Sequence, residues 1–498
     1  MIMAKCIMVQ GTMSGAGKSL ITAALCRIFK QDGFRTAPFK SQNMALNSFV
    51  TADGLEMGRA QAVQALAAGK EPDVRMNPIL LKPTGEKKSQ VIAGGRVMGE
   101  YSASDYYNMK KQLVPHILKA YEELAAENDI IVVEGAGSPA EINLRAGDIV
   151  NMGLAELIDA KVLLVGNIDP GGVFAQLYGT VGLLSEAERK RVRGFIVNKF
   201  RGDKDLLKPG LAELASLTGI PVLGVVPYTD AKIEEEDSLS AGLGRKCHEK
   251  LIDIAVIRLP FISNYTDFDP FDRSRHLGVR YVDEAGLLGR PDLIVIPGSK
   301  NTIEDLRWLK RKGLFKAILA AGKNGSDILG ICGGYQMLGK RLWEPESGDS
   351  EEGFSFFPQS TEFRPGKLTR QVKGRFAAGP FKGLCVHGYE IHSGVTAYCG
   401  DGGPEGGESL LELETKKGEH FADGYIKGNV CGTYLHGIFE SGELLERLGG
   451  YYLDKRGLLF EEAGSFEDFN AYRQEQYDIL AGIVRESVDI KKIYEAVG

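Results

Sequence analysis

Residues 11–19 read GTMSGAGKS, directly after the apolar run 7–10 and directly before the helical stretch 20–30. A glycine-rich loop that ends in Lys-Ser between a strand and a helix is what phosphate binding requires. Glycines let backbone N–H groups turn toward phosphate, and the helix N-terminus adds a favourable dipole. Gly11, Thr12, Gly15 and Gly17 form the expected cradle. Lys18 can reach the β- and γ-phosphates of ATP, and Ser19 can ligate Mg²⁺. Gly11 stands one residue earlier than the first glycine of the common motif, with Thr12 in its expected place. The competing reading, a plain glycine turn with a chance Lys-Ser, does not account for the flanking strand and helix.

Such a loop predicts a doubly wound parallel α/β sheet with ligands at the carboxyl ends of its strands. The first 230 residues fit that plan. Short β-rich runs at 130–133, 162–165, 195–197 and 221–226 alternate with helical stretches. Residues 231–250 break the pattern with the acidic run Glu234, Glu235, Glu236 and Asp237, read as a linker. A second α/β unit is expected over 251–445, with strands at 254–257, 293–296 and 328–331. Residues 400–408 are mostly Gly, Asp, Pro and Glu, which suits an exposed loop. Residues 446–498 form an expected helical extension, with Phe469, Tyr472, Leu480, Ile483 and Val484 along one apolar face.

Composition narrows the function classes. The net charge of −6 argues against a nucleic-acid partner held on a broad basic face. Seven cysteines, scattered without a Cys-x-x-Cys pair, argue against a disulfide framework and a zinc ribbon. No apolar run has the ~18–20 residues needed to span a membrane. The short N-terminal run enters the glycine loop directly and reads as a strand, not a signal peptide. A cytoplasmic enzyme is the expectation.

Further site candidates follow from position. Glu134 ends the run 130–133 and precedes Gly135, where an acid suits a Mg²⁺ ligand or an orienting group. Asn198 follows the run 195–197, where its amide can pair with adenine; a turn asparagine is the plain alternative. Asp53 and Lys40 are candidates for metal and phosphate contacts.

The second unit carries a different chemistry. Residues 330–334 read GICGG after an apolar strand, a Gly-x-Cys-x-Gly turn of the nucleophile-elbow kind. Small neighbours permit the strained backbone that exposes the thiol of Cys332. The N–H of Gly333 can serve an oxyanion hole, with a second donor from the loop at Gly298 and Ser299. Gln336, one helical turn later, is placed to hold the amino-acid end of glutamine. An inert buried cysteine is the competing reading, and the elbow context argues against it. The base is His436 in GTYLHGIF or His392 in GYEIHSG, with His436 preferred.

The glycine loop resembles that of dethiobiotin synthetase and its relatives. Over essentially the whole chain, the order and wording of motifs resemble the glutamine-hydrolysing cobyric acid synthases of cobalamin biosynthesis. The runs that carry this are GTMSGAGKS, PFKSQNMALNSFVT, GRAQA, NPILLKPTG, EGAGSPAEINLR, DIVNMG, VNKFRGD, EDSLS, PGSKNTIEDL, GICGGYQMLG, GYEIHSG and GTYLHGIF. The resemblance implies a P-loop domain joined to a class I glutaminase-like domain. It implies ATP- and Mg²⁺-dependent amidation of four carboxylates, b, d, e and g, on adenosylcobyrinic acid a,c-diamide. Cys332 is then the nucleophile and His436 its base, with ammonia drawn from glutamine. Lys82, Arg145 and Asp148 are candidates to receive the corrinoid, and a homo-oligomer is possible.

Two departures from the family pattern stand out. Ile438 occupies the place of the acid in the His-x-Glu of many class I glutaminases, leaving Glu440 as a guess for the orienting group. Asn167 and Pro170 stand in GNIDPGG where charged residues are expected. Three alternatives compete with the leading reading. They are an a,c-diamide synthase, a partner-binding P-loop switch with an inactive glutaminase-like domain, and dethiobiotin synthesis, which explains the N-terminal half alone.

Overall fold

The computed structural model describes residues 4–84, 88–234, 250–364, 366–398, 406–458 and 469–498. Most of the predicted acidic linker, including Glu235, Glu236 and Asp237, lies outside the described residues, as do EDSLS and 399–405.

Six parallel strands form the first sheet, in the order Val222–Pro227, Val192–Phe200, Lys161–Asn167, Lys5–Gly11, Ile130–Glu134, Thr36–Phe39. The central strand Lys5–Gly11 delivers the glycine loop to the carboxyl edge, and the helix Lys18–Gln31 follows. The strand Thr36–Phe39 escaped sequence reading because it is four residues long and contains Pro38. It lies at the sheet edge, where a proline is tolerated. A smaller sheet, Gln42–Met44, Ile79–Pro83, Lys88–Ala93 and Arg96–Ser102, stands beside it.

The second unit is built on a six-stranded sheet in the order Leu277–Val282, Ile252–Ile257, Leu293–Ile296, Asp327–Ile331, Val430–Thr433, Tyr425–Lys427, with only the last pair antiparallel. An antiparallel sheet of Cys385–His392, Leu368–Phe376, Leu411–Thr415 and His420–Asp423 packs against its core. No helix among the described residues is long and apolar enough to cross a membrane.

The C-terminal extension divides between the two units. The helix Gly442–Lys455 buries Leu444, Leu448 and Leu453 in the second core. The helix Phe469–Ser487 instead returns to the first unit, where Tyr477, Leu480 and Val484 pack with Ile21, Leu25 and Phe29. Burying such side chains contributes ~1.5–3 kcal/mol each. Arg27 and Asp478 tie the same helices at 2.7 Å. Ile483, expected on the buried face, is only partly buried, and Tyr477 takes the deeper place.

A hairpin of Ser48–Val50 and Glu56–Gly58 bridges the units. Ser48 N donates to Asn264 Oδ1 at 3.0 Å, and Gln371 Nε2 donates to Val50 O at 2.9 Å. Val50 forms an apolar cluster with Tyr389 and Ile391. Next to the hairpin, buried Arg59 pairs with Glu234 at 2.5 Å and Glu440 at 3.3 Å.

Candidate active sites

At the glycine loop the backbone meets its conformational demands through glycine. Gly17 has φ 96°, and a Cβ there would lie 2.0 Å from Asn198 Nδ2. Asn198 is buried and donates that amide to Ala16 O at 3.0 Å, so it braces the loop backbone. Thr12 Oγ1 donates to Gln176 Oε1 at 3.1 Å. Lys18 Nζ donates to Met13 O and Gly137 O, which places the cation across the mouth of the loop.

Glu134 is the electrostatic centre of this site. Its Oε1 accepts from Ser19 Oγ at 2.8 Å and from Lys40 Nζ at 2.9 Å. Its Oε2 accepts from Gln64 Nε2 at 2.5 Å. Burial is the largest influence and works to raise its pKa, but the charge of Lys40 together with the hydrogen bonds from Lys40, Gln64 and Ser19 holds the carboxyl below its ordinary value. An ionised carboxylate beside a serine hydroxyl supplies two hard oxygen donors, which fits Mg²⁺, an ion that keeps several waters and takes the rest of its shell from phosphate. Sequence reading named Lys40 only as a phosphate contact, and it missed Gln64.

Other N-terminal candidates fall elsewhere. Asp53 is exposed in the turn of the bridging hairpin, whose Gly54 O accepts from Thr369 Oγ1 of the second unit; no described contact joins it to Ser19 or Glu134. Asp148 accepts from the backbone N–H of Val150, Asn151 and Gly153 and so secures the start of the helix Met152–Leu157. Arg145 donates to Leu183 O at 2.6 Å and stands 3.6 Å from Glu188. Lys82 is buried at the boundary between units, where its ammonium meets Ser48 Oγ at 2.7 Å and Glu56 at 2.9 Å. Lys367 of the second unit closes on the same Glu56 at 2.6 Å. Asn167 Oδ1 accepts from Asp169 N at 3.0 Å, a turn-stabilising contact.

In the second unit, Cys332 sits between the strand Asp327–Ile331 and the helix Gly333–Met337 with φ 51° and ψ −107°. That backbone is strained for a side chain larger than glycine and marks a sharp elbow. The turn survives because Gly334 follows: a Cβ there would lie 1.9 Å from Ile296 O. The thiol reaches Ile391 O at 3.6 Å. Gly333 abuts Ser299, since a Cβ on it would approach Ser299 N to 2.8 Å. A Cβ on Gly298 would come within 3.1 Å of His436 Cε1. The loop 298–299 and the elbow therefore face one another around the thiol. Gln336 donates to Ser393 O at 3.0 Å and to Tyr434 OH at 3.2 Å.

His436 is fully buried and bonds through Nδ1 to Asp267 Oδ2 at 2.7 Å. Gly437 N donates to the other oxygen, Asp267 Oδ1, at 3.0 Å. Its Nε2 makes no other hydrogen bond among the described residues and faces the side of Cys332. Burial opposes the imidazolium, but the Asp267 carboxylate and then the Cys332 thiol overcome it, pushing the His436 pKa up to about 10. The rival His392 has no carboxylate partner among the described residues. It stacks on Tyr434 at 3.8 Å, and burial pushes its pKa down to about 4. The orienting acid is thus Asp267, which sequence reading missed. Glu440, the guess, instead pairs with Arg59 and with Arg473 at 3.0 Å. Asp267 lies in NYTDFDPFD; that run of acids and aromatics between strands was the available signal.

The comparisons with known proteins agree with this division. Residues 7–240 match the CobQ/CobB/MinD/ParA nucleotide binding domain, and residues 253–444 match the CobB/CobQ-like glutamine amidotransferase domain. The cobyric acid synthase of Ruminiclostridium cellulolyticum is 53% identical over 99% of this chain and 97% of its own. Those of Lachnoclostridium phytofermentans and Clostridium acetobutylicum are 52% and 49% identical, each over 99% of this chain, and over 99% and 98% of their own. With a nucleotide-binding loop in its first unit, a Cys-His-Asp constellation in its second and relatives of this closeness along its full length, the chain belongs to the cobyric acid synthase family.

Proposed function

We propose that this chain converts the b, d, e and g carboxylates of adenosylcobyrinic acid a,c-diamide to amides, giving adenosylcobyric acid, with ATP as activator and glutamine as nitrogen donor. The observation that carries the reading is the pairing of two incomplete chemistries in one chain. The Cys332-His436-Asp267 constellation is built for amide hydrolysis, and the loop with Lys18, Ser19 and Glu134 is built for phosphoryl transfer. Neither alone makes an amide from a carboxylate.

In the glutaminase half, Cys332 Sγ attacks the glutamine side-chain carbonyl carbon. The oxyanion is received by N–H groups of the elbow and the facing 298–299 loop. His436 Nε2, having taken the thiol proton, gives it to the departing amide nitrogen as the C–N bond breaks, so neutral ammonia leaves and a thioester remains. Water then cleaves the thioester, returning thiol and imidazole and releasing glutamate. Asp267 keeps the imidazole in the orientation that points Nε2 at the thiol.

In the synthetase half, a substrate carboxylate oxygen takes the γ-phosphoryl group, making an acyl phosphate and ADP. Lys18 stabilises the transferring charge. Mg²⁺, held by Ser19 and Glu134, would neutralise the phosphate oxygens. Ammonia attacks the acyl carbon and phosphate leaves. Free ammonia is mostly protonated at neutral pH, so internal delivery serves the reaction. The units divide most naturally at 1–230 and 251–445, with the tail shared between them.

Mass spectrometry of the product made from cobyrinic acid a,c-diamide, ATP, Mg²⁺ and glutamine tests the proposal. Four successive carboxyl-to-amide conversions are expected. A product that stops short of four, or conversion of the a,c-positions of cobyrinic acid instead, overturns the assignment.

A further inference from the structure

Asp267 holds one edge of the His436 imidazole, but a single in-plane hydrogen bond does not hold the plane of the ring. The torsion that joins an imidazole to its Cβ is broad and soft. A histidine whose Nε2 must meet a thiol therefore needs a face held as well as an edge. Tyr389 packs against one face. It lies in the strand Cys385–His392 and is 4% exposed. Its ring centroid is 5.5 Å from that of the imidazole, with 22° between the two planes.

The backbone sets the two rings together. Tyr389 N donates to His436 O at 3.1 Å, and His436 N donates to Tyr389 O at 2.9 Å. An antiparallel pair that exchanges both bonds puts its two side chains on the same face. Gly388 permits the approach, because a Cβ there would lie 2.0 Å from His436 O. The tyrosine ring is braced in turn by the hairpin of the first unit. Its hydroxyl donates to Ser48 O at 3.2 Å, and the Phe49 ring lies 5.9 Å from it. Val50 and Ile391 pack with it in an apolar cluster of their own.

We propose that Tyr389 is a positioning residue of the glutaminase, which holds the plane of the His436 imidazole so that Nε2 stays aimed at Cys332. The inference rests on the reading of function given above. Asp267 resists rotation of the ring within its plane, and Tyr389 resists its tilting out of that plane. A tilt swings Nε2 off the line to the thiol, and proton transfer needs the two heavy atoms within about 2.6–3.2 Å. Tyr389 makes and breaks no bond; it acts through His436. Since Ser48, Phe49 and Val50 belong to the first unit, the base of the second unit is braced across the boundary between them.

The test compares Tyr389→Leu, which removes the ring, with Tyr389→Phe, which keeps it. The full chain is assayed for glutamine hydrolysis, and ammonia-driven synthesis in the same preparation supplies the count of folded enzyme. Tyr389→Leu is expected to lower the normalised kcat for glutamine about tenfold, the equivalent of ~1.4 kcal/mol and the upper range for an aromatic pair. KM for glutamine is expected to stay within about twofold, because the loss falls on the transition state. Tyr389→Phe is expected to restore kcat to within about threefold of wild type, since the stacked ring remains. A residue that only fills space would lower hydrolysis and ammonia-driven synthesis together and leave the normalised kcat unchanged. An unchanged normalised kcat in Tyr389→Leu, a change in KM alone, or a Tyr389→Phe protein as slow as Tyr389→Leu overturns the assignment while leaving the function intact. Wild-type protein that hydrolyses no glutamine overturns the reading of function, and the assignment falls with it.

Discussion

Replacing Asp267 with asparagine isolates the contribution of the acid that orients His436. The imidazole is fully buried, the Asp267 side chain is 4% exposed, and their bond is 2.7 Å. Removing the carboxylate that orients a catalytic histidine can cost ~10⁴ in rate with the geometry otherwise intact, so a loss of ~10² to ~10⁴ is expected. Asparagine can also present its N–H₂ to Nδ1, which turns the ring to the wrong tautomer. The assay is glutamine-driven amide formation against pH, with ammonia-driven synthesis as the control. The sign of the pH effect follows from the raised pKa: the imidazolium that protonates the departing amide nitrogen persists below about 10 and is lost as pH rises through that value. Without the carboxylate, burial dominates, so the alkaline limb of the glutaminase profile moves to lower pH, by ~1 unit or more. Ammonia-driven synthesis stays unchanged. Glutamine-driven synthesis within a few-fold of wild type, with an unmoved alkaline limb, would refute the role of Asp267.

Lys18→Ala removes a cation from the phosphoryl-transfer site; a loss of ~3 kcal/mol of transition-state binding lowers synthesis more than a hundredfold from glutamine and ammonia alike, while basal glutaminase persists. Glu134→Gln leaves a folded protein that needs far more Mg²⁺, read from a metal titration of synthesis; an unchanged requirement would assign Glu134 a structural role. His436→Ala loses glutamine-driven synthesis, whereas His392→Ala retains most of it, because His392 has no carboxylate partner among the described residues and stays neutral at physiological pH. Gly334→Ala forces a Cβ into Ile296 O and is expected to lower both glutaminase turnover and the melting temperature.

What the sequence shows and what it hides follow from distance along the chain. The glycine loop and the elbow are local: strand, turn and helix follow one another directly, over residues 5–31 and 327–337, so their geometry is written in consecutive letters. Asp267 is 169 residues from His436, and only the fold brings them together. Lys82 shows the opposite failure. A lysine in a motif reads as a substrate contact, but charge alone does not reveal burial, and the bridging hairpin supplies Glu56 as its partner. Asn198 has the expected position at a strand end, yet its amide is directed to the loop backbone. The divided tail was hidden because both of its halves are amphipathic, and periodicity does not say which core an apolar face will meet.

The central claim is that one half of the chain makes ammonia and the other half uses it. Cys332→Ser tests this directly, through the ratio of ammonia-driven to glutamine-driven product in variant and wild type. Serine keeps the shape of the elbow but is a far weaker nucleophile here, so glutamine-driven synthesis is expected to fall ~10³-fold or more. Synthesis from ammonium salt at mildly alkaline pH is expected to survive, because the glycine loop and Glu134 are untouched. Retention of glutamine-driven synthesis by Cys332→Ser, or equal loss of both activities without a fall in melting temperature, would contradict the account.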